Sequence, residues 1–249
     1  MSQGPTSNRL DQFWAEAAGA PLVMLTDFDF TITTVDVGDL ITFDHCPPED
    51  EVLDRFQRGE IGTRLYWLNS MAKVDLARAI QLADSVSIDP GFPRFAAYCR
   101  ERGIPIAVVS DGFTFYIDQV LRREGLDWLP VFANARGANG ALQFPFGNPA
   151  CDRCACCKAG VARRLRQNGA RIIYFGDGIS DLYAAGHADW VFAKGRLARF
   201  MKENGSPYFP LDSFTAAMQV LLPNLERFAS GAMEHRSTLT VHANCRFAE

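Results

Sequence analysis

Long apolar runs are missing from this chain: none approaches the roughly 18 to 20 residues that cross a bilayer, so the sequence predicts no membrane partner. A basic excess is missing as well. Twenty-five Lys and Arg stand against 29 Asp and Glu, a formal net charge of −4, and no Lys/Arg run supplies the footprint of a nucleic-acid binder. The opening segment MSQGPTSNRLDQFW has neither the basic start nor the apolar stretch of a signal peptide, so the expected compartment is the cytoplasm. Internal repeats and low-complexity stretches are absent too. Apolar residues are not scarce: 48% of the 249 residues are hydrophobic and 22% charged. That composition supplies a full core, excludes dominant disorder, and suits one large domain or one domain with a smaller insertion.

Cysteine is thinly spread except in one place, where Cys151, Cys154, Cys156 and Cys157 fall within seven residues. A secreted disulfide scaffold is shorter and spaces its cysteines more evenly. A C-x-x-C pair with further thiols could bind Zn²⁺, but structural zinc sites usually draw on two separated pairs. Reduced thiols that shape the loop are the first reading, zinc the second and a local disulfide the third. Each bears on Lys158, which follows the run directly.

Three apolar runs end in polar, Gly-rich or acidic turns. PLVMLT (21–26) stops at Asp27-Phe28-Asp29, Ile104 to Val109 at Ser110-Asp111-Gly112, and Arg171 to Phe175 at Gly176-Asp177-Gly178. Helical stretches precede the second and third, Phe92 to Arg102 and Lys158 to Gln167. Apolar runs alternating with helices predict an α/β fold with a Rossmann-like parallel sheet, whose ligand site lies beyond the carboxyl ends of the strands. Trp190 to Ala193 reads as a further strand, and Asn139-Gly140 as the turn of a type I′ hairpin. The long segment between the first two strands reads as an inserted small helical cap. Leu65, Leu68, Met71, Ala72, Leu76, Ala79, Ile80 and Ala83 recur there near helical spacing. Most of these read as bundle core, and Phe43, Tyr66 and Trp67 as candidates for substrate contact.

Asp27 and Asp29, one residue apart at a strand exit, repel each other unless a cation relieves them. Hard oxygen ligands suit Mg²⁺, and Asp177 and Asp181 reach the same sheet edge. Singly, each of these reads as a turn or cap residue; together they read as a metal site.

DFDFTIT (27–33), Ser110 followed by Asp-Gly, Lys158, and GDGISD (176–181) resemble, in order, the four motifs of the haloacid dehalogenase (HAD) superfamily of phosphohydrolases. A helical insertion between the first two motifs matches that superfamily's type-1 cap, as in phosphoserine phosphatase-like members. The resemblance implies a HAD core at 1–34 and 90–230, a cap at 35–89 and a C-terminal tail at 231–249. It makes Asp27 the nucleophile, Asp29 the acid and then base, and Lys158 the cation that offsets their charge. It implies Mg²⁺ held by Asp27, the backbone carbonyl of Asp29 and Asp177, with Asp181 in or near that set. Ser110, Asp111 and Gly112 fall to the substrate, the phosphoryl oxygens being bound by Ser110 and the Gly112 N–H. Asp29 favours phosphoryl chemistry over dehalogenation, which needs no proton donor. Phe30 departs from the Gly or Ser of many relatives, and narrows the pocket.

FQRGEIGTR (56–64), with the Cys-rich run before Lys158, resembles the MtnX-like phosphatases, which act on a methionine-salvage enol phosphate. Asp36 sits where phosphoserine phosphatases read an amino group; it is assigned to substrate binding, with a solvated loop carboxylate as the alternative. Arg64 is a candidate for a substrate carboxylate, and surface placement is the alternative for it and for Arg58. His187 reads as a helix-end residue, and His235, His242 and Cys245 as parts of a loosely docked tail. The expected partner is a small phosphorylated metabolite, the expected assembly a monomer or homodimer. Phosphoserine, phosphoethanolamine, phosphocholine or pyridoxal phosphate hydrolysis, phosphotransfer, and non-catalytic phosphate-ligand binding are the alternatives.

Overall fold

The computed structural model describes residues 5–45, 47–137, 139–151, 153–240 and 245. Helix α1 (Pro5–Ala17) leads into β1 (Leu22–Thr26). The chain then makes an excursion through α2 (Val37–His45), α3 (Asp50–Gln57), α4 (Thr63–Asn69), a 3₁₀ turn (Met71–Lys73) and α5 (Leu76–Ser85). It returns through α6 (Phe92–Glu101) to β2 (Ile106–Phe113), α7 (Thr114–Arg123), β3 (Val131–Arg136) and β4 (Leu142–Gln143). There follow α8 (Lys158–Gln167), β5 (Arg171–Gly176), α9 (Leu182–Ala185) and β6 (Trp190–Ala193). The last elements are α10 (Gly195–Glu203), β7 (Phe209–Pro210) and α11 (Phe214–Ser230).

The strands form one sheet in the order β4-β3-β2-β1-β5-β6-β7, parallel except where β4 runs against β3. Every residue of β1 is buried, which is why LVMLT is continuously apolar rather than alternating. Leu22 and Met24 join an apolar layer built with α6 and α11. Val23 and Leu25 face the opposite layer, built with α1, α8 and α10. From β1 the chain winds outward to β2 and β3, then crosses back to β5 and β6. That reversal puts the carboxyl ends of β1, β2 and β5 around one crevice.

The excursion leaves and rejoins the sheet through a paired neck: Thr33 bridges Ile88, and Asp89 N–H donates to the Ile32 carbonyl at 2.8 Å. Its packing differs from the spacing pattern. Leu65, Leu68, Leu76 and Ile80 are exposed, whereas Tyr66, Trp67, Met71, Ala79 and Ala83 are buried. The reason is a break in what the spacing joined: the chain turns through Ser70 and the 3₁₀ segment, and Asp75 restarts the helix as N-cap of α5, accepting from the Ala77 and Arg78 N–H groups. The larger rings of Tyr66 and Trp67 then take the interior positions.

Two further expectations change. Residues 135–143 do form a hairpin, but not with a two-residue type I′ turn. It closes between Gly137 N–H and the Ala141 carbonyl at 2.8 Å, with Gly140 left-handed at φ 81°, a wider loop than a two-residue turn. The segment after Gly231 is docked rather than loose as far as it is described. The Trp190 indole donates to the Met233 and Glu234 carbonyls, Ser237 N–H to the Asp189 carbonyl, and Arg236 pairs with Asp189. The side chains of His45 and His242 lie outside the described residues. No helix among the described residues is long and apolar enough to cross a membrane.

Candidate active site

The turn after β1 delivers Asp27, which is buried, and turns Phe28 fully into the core. The first residue of α8, Lys158, points its ammonium into the same crevice. Its Nζ lies 2.7 Å from Asp27 Oδ1, 2.7 Å from Asp181 Oδ1 and 3.2 Å from Ser180 Oγ. Burial works against that ammonium, but Asp181 and Asp27 outweigh it and keep it charged well above the usual lysine range. Burial, Asp181 and Asp177 push Asp27 up, against the pull of Lys158.

Asp27, Asp177 and Asp181 offer carboxylate oxygens that all lie within 4.8 Å of one another. Burial and Asp181 raise Asp177 to about 7, with Lys158 and the Thr31 hydroxyl pulling it back. Three carboxylates crowd round Lys158, with Lys194 acting on Asp177 from the edge of the cluster, and the donors are hard oxygens. The cluster could hold a divalent cation. Within it Asp181 is the most occupied. Its Oδ1 accepts from Lys158 and the Tyr174 hydroxyl, and its Oδ2 from the N–H groups of Asp177 and Gly178. Gly176 leaves it room, since a Cβ there would lie 2.6 Å from Asp181 Oδ2.

Asp29 carries its carboxylate away from that cluster. Oδ1 accepts Val37 N–H at 2.9 Å, at the start of α2, and Oδ2 accepts the Tyr116 hydroxyl at 3.0 Å. Burial raises its pKa to about 6, while the two donors hold it down. The crevice thus contains one carboxylate tied to a lysine and another kept near neutral pH, the separation that acid–base work requires. Gly112 is pressed against this pair: a Cβ would fall 1.9 Å from the Tyr116 hydroxyl and 3.0 Å from Asp29 Oδ2. Ser110 Oγ accepts Gly112 N–H at 2.9 Å. Between Asp29 and the neck, Phe30 is left-handed at φ 53° and 48% exposed, a conformation bulky residues avoid and functional turns tolerate.

Other expected residues sit elsewhere. Asp111, expected on the substrate, turns its carboxylate toward the cysteine loop, where Oδ1 accepts Cys156 N–H at 2.6 Å. Its carbonyl accepts the Trp67 indole at 2.8 Å and Asn134 at 2.6 Å, so it ties β2 to α4 and β3. Asp36 Oδ1 accepts Asp39 N–H at 2.8 Å and caps α2; burial, Asp29 and Asp39 raise it well above the usual range. The Arg64 guanidinium lies over the Phe144 ring at 5.0 Å, and Arg58 pairs with Glu60 at the surface. Of the aromatic candidates, Trp67 and Tyr66 are buried and Phe43 is exposed. No disulfide joins Cys151, Cys154, Cys156 or Cys157, which overturns the third reading of that run.

Sequence reasoning missed Tyr116, Tyr174 and Thr31, whose hydroxyl lies 3.3 Å from Asp177 Oδ1. Tyr116 was within reach of it. It stands four residues after Gly112, one helical turn from the Ser110-Asp111-Gly112 turn.

The family model for haloacid dehalogenase-like hydrolases matches residues 24–186. A 2-hydroxy-3-keto-5-methylthiopentenyl-1-phosphate phosphatase of Exiguobacterium sibiricum is 31% identical over 205 residues, 77% of this chain and 92% of that one. The protein of the same name from Geobacillus kaustophilus is 32% identical over 213 residues, covering 80% and 95%. Among solved structures, a phospho-aspartyl intermediate analogue of phosphoserine phosphatase superposes with a TM-score of 0.58 at 17% identity, over 80% of this chain and 97% of that one. Cytosolic 5′-nucleotidase IIIB bound to cytidine does so with 0.55 at 18% identity, over 93% and 95%. These two likenesses concern the fold.

Proposed function

Because the chain belongs to the haloacid dehalogenase-like hydrolases, we infer that it is a Mg²⁺-dependent phosphomonoesterase acting through a phosphoryl group on Asp27. Among the described residues, those within 35–89 form its cap, and those within 1–34 and 90–230 its core. The observation that carries this reading is the division of labour between the two carboxylates. Asp27 lies 2.7 Å from Lys158 Nζ, and Asp29 is held apart by Val37 and Tyr116 with a pKa of about 6.

Asp27 attacks phosphorus, forming the Asp27–P bond as the ester P–O bond breaks, and Asp29 gives its proton to the departing oxygen. Lys158 offsets the negative charge that Asp27 and the phosphoryl group bring together. Ser110 Oγ and Gly112 N–H give up the bond between them and each take a phosphoryl oxygen. Asp29, now a carboxylate, takes a proton from the water whose oxygen bonds to phosphorus; the Asp27–P bond breaks and inorganic phosphate leaves. Mg²⁺, held by Asp27 and Asp177 with Asp181 behind them, would supply further charge neutralisation on the phosphoryl oxygens. The bonds already on Asp181 suit it to orienting Lys158 and the Asp177 turn.

The substrate named for the relatives, 2-hydroxy-3-keto-5-methylthiopentenyl-1-phosphate, is our assignment for this chain. Phe30 and Ile179, from the turns that carry Asp29 and Asp177, are 48% and 52% exposed, apolar surface suited to a methylthio end. Asp36 already caps a helix, which argues against reading an ammonium group. The test is phosphate release from that compound, phosphoserine, phosphoethanolamine, phosphocholine and pyridoxal phosphate, with and without Mg²⁺. The enol phosphate should be turned over fastest, only with Mg²⁺, and at least about a thousandfold more slowly by Asp27→Asn. Release by Asp27→Asn at the wild-type rate contradicts the mechanism, and preference for an amine ester contradicts the substrate.

A further inference from the structure

The amino edge of the sheet, opposite the crevice that holds Asp27, carries a charge pattern that phosphate hydrolysis does not use. There, where β5 and β6 begin, a cavity of about 230 Å³ opens between Arg166 of α8, Arg171 at the start of β5 and Arg236 of the docked tail, with Asp189 beside them. Three guanidinium groups from three separate stretches of chain thus meet around one carboxylate, in a chain whose formal net charge is −4. Like charges gathered round one space repel, and an anion between them relieves that cost. Favourable placement at a helix C-terminus accounts for Arg166, but not for the other two.

Each guanidinium is anchored yet keeps donors in hand. Arg166 Nη1 donates to the His187 carbonyl at 3.0 Å, and Arg171 Nη1 to the Ala229 carbonyl at 2.8 Å. Arg171 is also backed by Gly231, left-handed at φ 83°, where a Cβ would lie 2.7 Å from its Nε. Arg236 pairs through Nη2 with Asp189 Oδ1 and lies over the Trp190 ring at 5.8 Å. Asp189 itself is buried and committed, its Oδ2 accepting Ile172 N–H at 2.8 Å, so it offsets one of the three positive charges and leaves two. A guanidinium has five N–H donors. Among the described residues, Arg166 and Arg171 each spend one of them on a side-chain hydrogen bond, and that to a neutral carbonyl. Side chains already held in this way lose little freedom when a ligand arrives.

We propose that Arg166, Arg171 and Arg236 form a binding site for a phosphate-type oxyanion, either inorganic phosphate or the phosphate group of a small ester. The forked donors of a guanidinium match the oxygens of such a group. Its charge of about −2 near neutral pH matches the two cations that Asp189 leaves uncompensated. The cavity is smaller than the roughly 300–1,000 Å³ of sites for drug-sized ligands, which suits a phosphate group with a short substituent rather than a nucleotide.

The site is separate from the catalytic crevice and does not depend on the reaction assigned there. Arg166 stands at the far end of α8, the helix that begins with Lys158, and Arg171 at the far end of β5, the strand that leads to Asp177. Arg236 belongs to the segment that follows α11. A bound oxyanion would therefore join that segment to the core.

Amide NMR of the full-length protein tests this, with titration of inorganic phosphate and of propylphosphonate, an ester analogue that cannot be hydrolysed, against sodium chloride at equal ionic strength. Saturable shifts are expected at the Gly169 and Ala170 amides, which line the cavity, with half-saturation on the order of 1 mM and no such saturation with chloride. Tighter binding of phosphate makes the free ion the ligand, tighter binding of the phosphonate an ester; either supports the site. Replacing the two exposed arginines together, Arg166→Ala with Arg236→Ala, should weaken the response at least about fivefold. Should that variant not fold, Arg171→Lys decides, because it keeps the charge but loses the fork and should also weaken binding. Absence of saturable shifts at Gly169 and Ala170 in folded wild type overturns the proposal. So does chloride as effective as phosphate, or an unaltered response in a folded variant.

Discussion

The proton affinity of Asp29 is set by its burial and by two neighbours, Val37 and Tyr116. Burial lifts it to about 6, and the Val37 N–H and the Tyr116 hydroxyl limit the rise because both favour the charged form. The protonated carboxyl that the proposed mechanism uses as donor is thus present below about pH 6 and lost above it. At saturating Mg²⁺, kcat/KM for an ester with a poor leaving group should fall as pH rises through that value. Removing the Tyr116 hydroxyl removes one donor to the carboxylate. In Tyr116→Phe the pH at which kcat/KM falls should move up by on the order of one unit, about 1.4 kcal/mol of hydrogen bond, with kcat reduced. A pH–rate profile that keeps its shape would show that Tyr116 only packs. The meeting of Asp27, Lys158, Asp177 and Asp181 in one crevice was legible because each stands in a motif at a strand or helix end. Asp111 was not legible: the residue type fits a phosphate-side turn, but its orientation is decided by Cys156 N–H, a contact from a distant loop.

At the scale of elements, strands were easier to read than helices. β1 and β6 are short, apolar and bounded by turns, and β6 falls on Trp190–Ala193 as expected. β2 runs on to Phe113, because the motif residues Ser110, Asp111 and Gly112 are themselves extended and buried. The cap helices were harder, since a period of buried residues cannot reveal that the chain turns at Ser70 and restarts at Asp75. The cap is held to the core by the neck, by Trp67 on the Asp111 carbonyl and by the Gly62–Arg153 approach. The last has no slack, because both partners are backbone. Gly62→Ala should therefore lift the α4 end of the cap off the loop, costing about 1–3 kcal/mol of stability and raising KM. Urea unfolding and steady-state kinetics check both; an unchanged midpoint with unchanged KM would mean that the cap does not rest there.

For the whole molecule, the sheet order explains why residues as distant as Asp27, Lys158 and Asp181 meet. Strands flanking the central one bring their carboxyl ends to one crevice, and the alternation of apolar runs with helices was enough to foresee it. Whole-chain electrostatics were not foreseeable, because the surplus of negative charge depends on which carboxylates are buried together. That surplus would make metal uptake a proton-linked event. Asp177, raised to about 7, must lose its proton to act as a ligand, so Mg²⁺ affinity should rise as pH rises through that value. Calorimetry at about pH 6 and about pH 8 should show tightening of on the order of tenfold, with protons released to the buffer; equal affinity at both would remove Asp177 from the ligand set. The covalent step is tested most directly by acid quenching Asp29→Asn during reaction with p-nitrophenyl phosphate, whose leaving group needs no proton. With its base gone, the variant should accumulate a phosphoryl group that mass spectrometry maps to Asp27, whereas wild type should show little. A variant that releases p-nitrophenol in a burst yet carries no phosphoryl group on Asp27 would contradict the mechanism.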